Sequence, residues 1–179
     1  MASPGRRLGC SRLTAITPGL KFCATTSADA ATVEAIAQLL RSGGKTALLL
    51  GGHALREPAL LAASRIAAKT GAKLLSEVFP TRLERGAGRP PIERIAYLAE
   101  LAGVQLAGLE HLILVDAKSP VSFFAYPGKV SDLVPAGCTV HTLSTSAQDA
   151  AASLAALARA LDAEQTPVTV QPAQRPGRP

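Results

Sequence analysis

The stretch Gly44-Lys45-Thr46-Ala47-Leu48-Leu49-Leu50-Gly51-Gly52-His53-Ala54-Leu55 decides the fold. Its centre, Thr46–Leu50, is a short run without polar alternation, as expected of a parallel strand covered on both faces. Gly51-Gly52 ends it. Upstream, Asp29 is placed to cap a helix whose apolar positions Val33, Ile36, Ala37 and Leu40 follow the i, i+3, i+4, i+7 pattern. Gly43-Gly44 stops that helix, because glycine accepts the left-handed conformation cheaply. Downstream, Pro58 falls in the first turn of a second helix and Gly71 ends it. The inner face of this helix is Ala59, Ala62, Ala63, Ile66 and Ala67, small enough to lie close on a sheet.

The alternation continues. Lys73–Val78 reads as a strand, followed by a polar loop from Pro80 to Pro90. Pro91 is placed to open a helix with Ile92, Ile95, Ala99 and Ala102 on one side. Leu112–Val115 and Thr139–Leu143 read as further strands. A last helix carries Ala150, Leu154, Leu157 and Leu161 in one stripe. Strands alternating with helices imply right-handed crossovers and a parallel sheet covered on both faces. The expectation is an α/β domain, a three-layer Rossmann-like open parallel sheet, over residues 29–162.

The two ends differ from this middle. Residues 1–28 contain Arg6, Arg7, Arg12 and Lys21 but no acid, and Pro4 and Pro18 interrupt them. They read as an irregular basic leader, either a transit peptide or sequence ahead of a mis-assigned start. Residues 163–179 carry Pro167, Pro172, Pro176 and Pro179 and read as a Pro-rich linker. Of the net charge of +6, the leader holds +4 and the tail +1, which leaves residues 29–162 nearly neutral. A nucleic-acid-binding domain concentrates its bases on the folded surface, so that class is excluded. Aromatic residues are 3% and Trp is absent, so the core must be built from Ala, Leu, Val and Ile. Cys10, Cys23 and Cys138 are far apart and form no CxxC, which fits a reduced, cytoplasmic setting. The setting is organellar if the leader is a transit peptide. No apolar run reaches membrane-spanning length.

Ligands of open parallel sheets lie beyond the carboxyl ends of the strands. Three segments fall there: Gly51-Gly52-His53, the Arg82–Gly88 loop with Arg82, Arg85 and Gly86, and Asp116-Ala117-Lys118. Glycines admit a phosphate, a basic loop neutralises it, and an acid takes ribose hydroxyls. The same residues also have structural readings. Gly51-Gly52 makes a tight turn, Arg82 and Arg85 flank Glu84 in a solvated cluster, and Asp116 caps the turn after its strand. His53 is the best-placed histidine, while His111 and His141 read as a strand-edge and a packing residue. No nucleophile-elbow GxSxG occurs.

The opening stretch resembles the first strand and turn of the central domain of thiamine diphosphate-dependent enzymes. The likeness extends through Phe79-Pro80-Thr81-Arg82-Leu83-Glu84-Arg85-Gly86-Ala87-Gly88-Arg89-Pro90 and Leu112-Ile113-Leu114-Val115-Asp116-Ala117-Lys118-Ser119-Pro120. It continues into Phe123-Phe124-Ala125-Tyr126-Pro127-Gly128-Lys129, and covers roughly residues 27–162. Together these segments are similar to the acetolactate synthase large-subunit-like and benzoylformate decarboxylase-like branch.

The resemblance implies a three-domain parent, with thiamine diphosphate and Mg²⁺ held by a pyrimidine-binding and a diphosphate-binding domain on either side of this one. The family's Gly-Asp-Gly metal motif has no counterpart here, because none of Asp29, Asp116, Asp132, Asp149 or Asp162 has a glycine neighbour. Only 28 residues precede the match, so the pyrimidine-binding domain is expected to be missing as well. The chain is therefore expected to position the other domains and to be inactive alone. Its partners would be those domains, a full-length thiamine diphosphate enzyme, or a second copy in a homodimer. In some relatives the central domain binds FAD or ADP. Carried to this chain, that role would fall on Gly51, Gly52, His53, Arg82, Arg85, Gly86, Asp116 and Lys118, and the protein would be a free-standing nucleotide-binding module. The Gly51-Gly52-His53 turn departs from the dinucleotide fingerprint.

Overall fold

A computed structural model describes residues 26–125, 127–128 and 130–173. Residues 1–25, most of the expected leader, lie outside them. Helix α1, Ala30–Arg41, starts at Asp29, whose Oδ1 accepts the Thr32 N–H at 2.8 Å. Its buried residues are the four that the spacing picks out, Val33, Ile36, Ala37 and Leu40. Strand β1, Thr46–Leu50, is buried along its whole length. Helix α2, Glu57–Thr70, ends at Gly71, which is left-handed at φ 76°. Ala59, Ala62, Ala63 and Ile66 are buried on it, whereas Ala67 is half-buried.

The remaining elements are β2, Lys73–Ser76; β3, Glu93–Arg94; α3, Ala99–Leu106; β4, His111–Val115; β5, Thr139–Ser144; and α4, Ala150–Ala160. All pairings are parallel, in the order β3-β2-β1-β4-β5. From β1 the chain steps outward to β2 and β3, then returns to β1's other side for β4 and β5. The switch point of this doubly wound α/β sheet is therefore the crevice between β1 and β4.

The register aligns Ser76, Leu50, Val115 and Ser144 in one row across the sheet. Leu48, Leu50, Ile113, Val115 and Leu143 face a large core shared with α1, α2 and α4. Ala47, Leu49, Leu112 and Leu114 face the other way, onto a smaller core with Leu75, Ile95, Ala102 and Leu106. The architecture has three layers, as expected, but they are unequal, because α3 is the one helix on the second face, where the loop carrying Leu133, Val134 and Cys138 packs as well.

The sequence reading differs from the structure around Pro91. No helix starts there. Glu93 and Arg94 pair with Leu75 and Ser76 as an edge strand, and α3 begins at Ala99. Ile92 packs against the larger core and Ile95 into the smaller one. An odd separation places residues on opposite faces of a strand, so the spacing that mimics a helical stripe here serves both layers. The second strand is also shorter than Lys73–Val78, ending at Ser76.

Both ends of the domain are tied down by hydrogen bonds. The Thr26 carbonyl accepts the Asp149 N–H at 3.0 Å, and the Ala28 N–H donates to Ser153 Oγ at 2.8 Å. Gln171 exchanges backbone hydrogen bonds with Gly88 and Arg89, both at 2.9 Å. On the strands, His141 Nε2 lies 3.3 Å from His111 Nδ1, so the two histidines expected to be structural are partners. Leu48 is fully buried at the centre of the sheet, whereas Leu101 is exposed on α3. Leu48→Ala should cost about 3 kcal/mol in denaturant unfolding and Leu101→Ala under about 0.5 kcal/mol.

Candidate functional site

The carboxyl ends of β1 and β4 meet at the switch point with almost no clearance. A Cβ added to Gly51 would lie 2.4 Å from the Asp116 carbonyl oxygen and 3.0 Å from Ala117 Cα. One added to Gly52 would lie 2.3 Å from Asp116 Oδ2. Gly52 also has φ +40°, and Asp116 itself sits at φ +49°, a conformation that Asp tolerates better than most residues. The two glycines are required by the crossing of two turns.

Asp116 turns its carboxylate back over this crossing. Oδ2 accepts the His53 N–H at 2.7 Å and lies 3.6 Å from His53 Nδ1. The Asp116 side chain is 4% exposed, whereas that of His53 is 81% exposed. The Asp116 N–H donates to the Ser144 carbonyl at 2.9 Å. Asp116 thus caps the single 3₁₀ turn Gly52–Leu55 with its side chain and ties β4 to β5 with its backbone.

Glu77, the first residue after β2, completes the mouth. Its N–H donates to the Leu50 carbonyl at 3.2 Å, and it lines the same cleft as Gly52 and Asp116. Burial pushes the Glu77 pKa above its usual 4.5 and the Asp116 charge adds to this, against the Gly52 hydrogen bond and Lys118. Lys118, Thr142, Thr145 and Ser146 line a cleft of about 540 Å³ beside these acids. Sequence reasoning missed Glu77, although an acid directly behind the second strand of such a unit was the signal available.

The structure brings Gly51, Gly52, His53, Asp116 and Lys118 together but sets Arg82, Arg85 and Gly86 apart. Arg82 Nη2 lies 3.6 Å from Glu84 Oε1, and Arg56 Nη1 approaches the same oxygen at 3.9 Å. Glu84 Oε2 accepts the Glu57 N–H at 2.6 Å, and Arg89 pairs with the Glu57 carboxylate at 2.5 Å. The loop thereby closes the amino end of α2. Arg82 and Arg85 line a separate cleft of about 510 Å³ with Arg94 and Tyr97, two residues the sequence reading did not single out. Gly86, at φ +114°, lines neither cleft, and its missing side chain faces open space.

Carboxylates therefore sit at several N–H-rich starts at this end of the sheet: Glu77 beside Gly52, Asp116 at His53, Glu84 at α2 and Asp149 at α4, where Oδ1 accepts the Ala152 N–H at 2.9 Å, while α3 has no such cap. Such positions favour anions, and here the anions are the domain's own. Among the described residues no group of three or more His, Cys, Asp or Glu is placed to hold a metal ion. No helix among them is long and apolar enough to cross a membrane.

Fold and site define a doubly wound parallel α/β domain with a self-capped switch point. No protein-family model matches the chain. It is 56% identical over 144 residues to the "Putative acetolactate synthase large subunit IlvX" of Mycobacterium tuberculosis (strain H37Rv). That match covers 80% of this chain and 27% of IlvX, so the chain spans about a quarter of that relative's length. Two solved structures share the fold. One is a "putative thiamin diphosphate-dependent enzyme" from Mycobacterium smegmatis, with TM-score 0.58, 18% identity, and coverage of 84% of this chain and 31% of that one. The other is the thiamine diphosphate-dependent 4-hydroxybenzoylformate decarboxylase of Rhodococcus jostii RHA1, with TM-score 0.62, 16% identity, and coverage of 87% and 32%. The chain is related to the acetolactate synthase large-subunit-like members of the thiamine diphosphate-dependent enzyme family, as its sequence resemblance implies.

Two outcomes test the mouth. Gly52→Ala should cost about 2–4 kcal/mol through overlap and positive φ, and Asp116→Gly in the same chain should recover part of that cost in a double-mutant cycle. A raised carboxyl pKa in the fold means that stability falls as pH climbs from about 4.5 through the folded-state value. Glu77→Gln should therefore raise the melting temperature at pH 8 but leave it unchanged near pH 4.

Proposed function

We propose that this chain is the positioning domain of an acetolactate synthase-like thiamine diphosphate-dependent enzyme, holding other parts of that enzyme in place without binding the reacting cofactor itself. The relationship to IlvX supports the setting. The observation that carries the role is the self-capped mouth. A diphosphate arriving there would have to displace Asp116 from the His53 N–H, then sit beside the Asp116 and Glu77 carboxylates. The described residues do not fit thiamine diphosphate with Mg²⁺, so no step of its chemistry is assigned to them.

One observation favours a second reading, an ADP- or FAD-binding module. The cleft beside the acids offers Lys118, Thr142, Thr145 and Ser146 as donors to a phosphate further out, while Glu77 and Asp116 could accept ribose hydroxyls. Thermal melts of the purified chain distinguish the two. The positioning role predicts one cooperative transition, unmoved by ADP, FAD, or thiamine diphosphate with Mg²⁺. Binding of any of these at about 100 times its Kd would add about 2.7 kcal/mol, a shift of several degrees. An ADP or FAD shift abolished by Lys118→Ala would replace the proposal with the second reading. A thiamine diphosphate shift, or turnover of pyruvate with it, would overturn both.

A further inference from the structure

The chain has few aromatic residues, yet Phe79, Tyr97, Phe123 and Phe124 converge at one place on its surface. Phe79 lies 5.7 Å from Tyr97 and 5.2 Å from Phe123 between ring centroids, and Phe123 lies 4.8 Å from Phe124. These are mostly edge-on contacts, which hold the rings as a unit. Each ring is between 42% and 61% exposed. Val121 beside them, Leu98 just ahead of α3, and Leu101 and Val104 on α3 are exposed as well. Phe79 and Val121 line a cleft with Leu49 and Ile95 of the smaller core, which sets them on that side of the sheet. An apolar, aromatic surface of this kind is a usual mark of protein docking.

The rim of the patch indicates what docks. Tyr97 borders the cleft lined by Arg82, Arg85 and Arg94. The carboxylate within that loop, Glu84, is already engaged by Arg56, Arg82 and the Glu57 N–H. The patch thus has an apolar centre and, on its Tyr97 side, a basic edge, and the complement of that side is an apolar face edged with carboxylates. A second copy docked through the same patch would bring like-charged edges together. The IlvX relative and both structural neighbours are three to four times longer than their matched part, so those proteins contain further polypeptide able to supply such a face.

We propose that Phe79, Tyr97, Phe123 and Phe124, edged by Arg82, Arg85 and Arg94, form the face on which this domain receives a neighbouring domain of a thiamine diphosphate-dependent enzyme through an apolar, acid-rimmed surface. The proposal rests on the positioning role and names the surface that performs it.

The test co-expresses the full chain with M. tuberculosis IlvX lacking its 144 matched residues. The two should co-purify. Phe123→Glu should weaken the complex at least about tenfold, as loss of a central aromatic anchor does. Arg94→Glu should weaken it about threefold in low salt, an effect that fades toward about 0.5 M salt. Val140→Ser, on β5 away from the patch, should change nothing. All three variants should keep the wild-type melt, because the substituted side chains are exposed. Failure to co-purify, or binding indifferent to Phe123→Glu, would overturn the docking face. Self-association of the chain alone, abolished by Phe123→Glu in sedimentation, would replace the acid-rimmed partner with a second copy. The cofactor melts read the chain by itself, so a positioning domain with a different docking face remains distinguishable from a domain that binds cofactor.

Discussion

Everything at the carboxyl end of this sheet depends on a steric constraint: the turn after β1 and the turn after β4 cross with no space for a Cβ. Gly51 and Gly52 permit the crossing, and Asp116 secures it by placing a nearly buried carboxylate on the His53 N–H. The acid costs desolvation, which its hydrogen bond to the turn offsets. Glu77 joins the same mouth from the neighbouring strand with its N–H on the Leu50 carbonyl, so three strands meet at one short turn. The same geometry decides the chemistry, because groups that cap a turn are no longer available to a ligand phosphate.

Much of the fold is legible in the sequence because the strongest signals are local. The apolar run Thr46–Leu50, the cap at Asp29 and the stop at Gly71 each specify an element by themselves. The segment after Pro91 is not legible in this way. A two-residue edge strand leaves no periodicity to find, and Ile92 and Ile95 satisfy a helical spacing while serving opposite faces of the sheet. Tertiary pairing with Leu75 and Ser76 decides the outcome.

The candidate site was legible as a location and less so as a set of roles. Topology alone brings Gly51, Gly52 and Asp116 to one crevice, and a sequence can imply topology. Whether Asp116 faces a ligand or its own backbone depends on the direction of one turn, at φ +49°, which no spacing rule reveals. Arg82 and Arg85 stand in a basic loop that looks like a phosphate clamp, but Glu84 between them binds the loop to α2. Arg94 and Tyr97 escaped notice because their neighbourhood forms only when β3 joins the sheet.

The unequal layers also bear on how the domain comes apart. One face of the sheet lies under three helices that share a continuous core, including the close-packed alanines of α2 and α4. The other lies under the loop carrying Leu133, Val134 and Cys138 and under α3, an eight-residue helix without a side-chain cap, with Gly103 in its interior and only Ala102 and Leu106 buried. Freeing α3 exposes little apolar area and breaks few backbone hydrogen bonds, so it costs much less than global unfolding. Helix α3 thus opens more readily than the helices on the opposite face. A neighbour that covers the α3 side would raise the cost of local opening there, and the domain would gain rigidity on assembly where it is loosest alone.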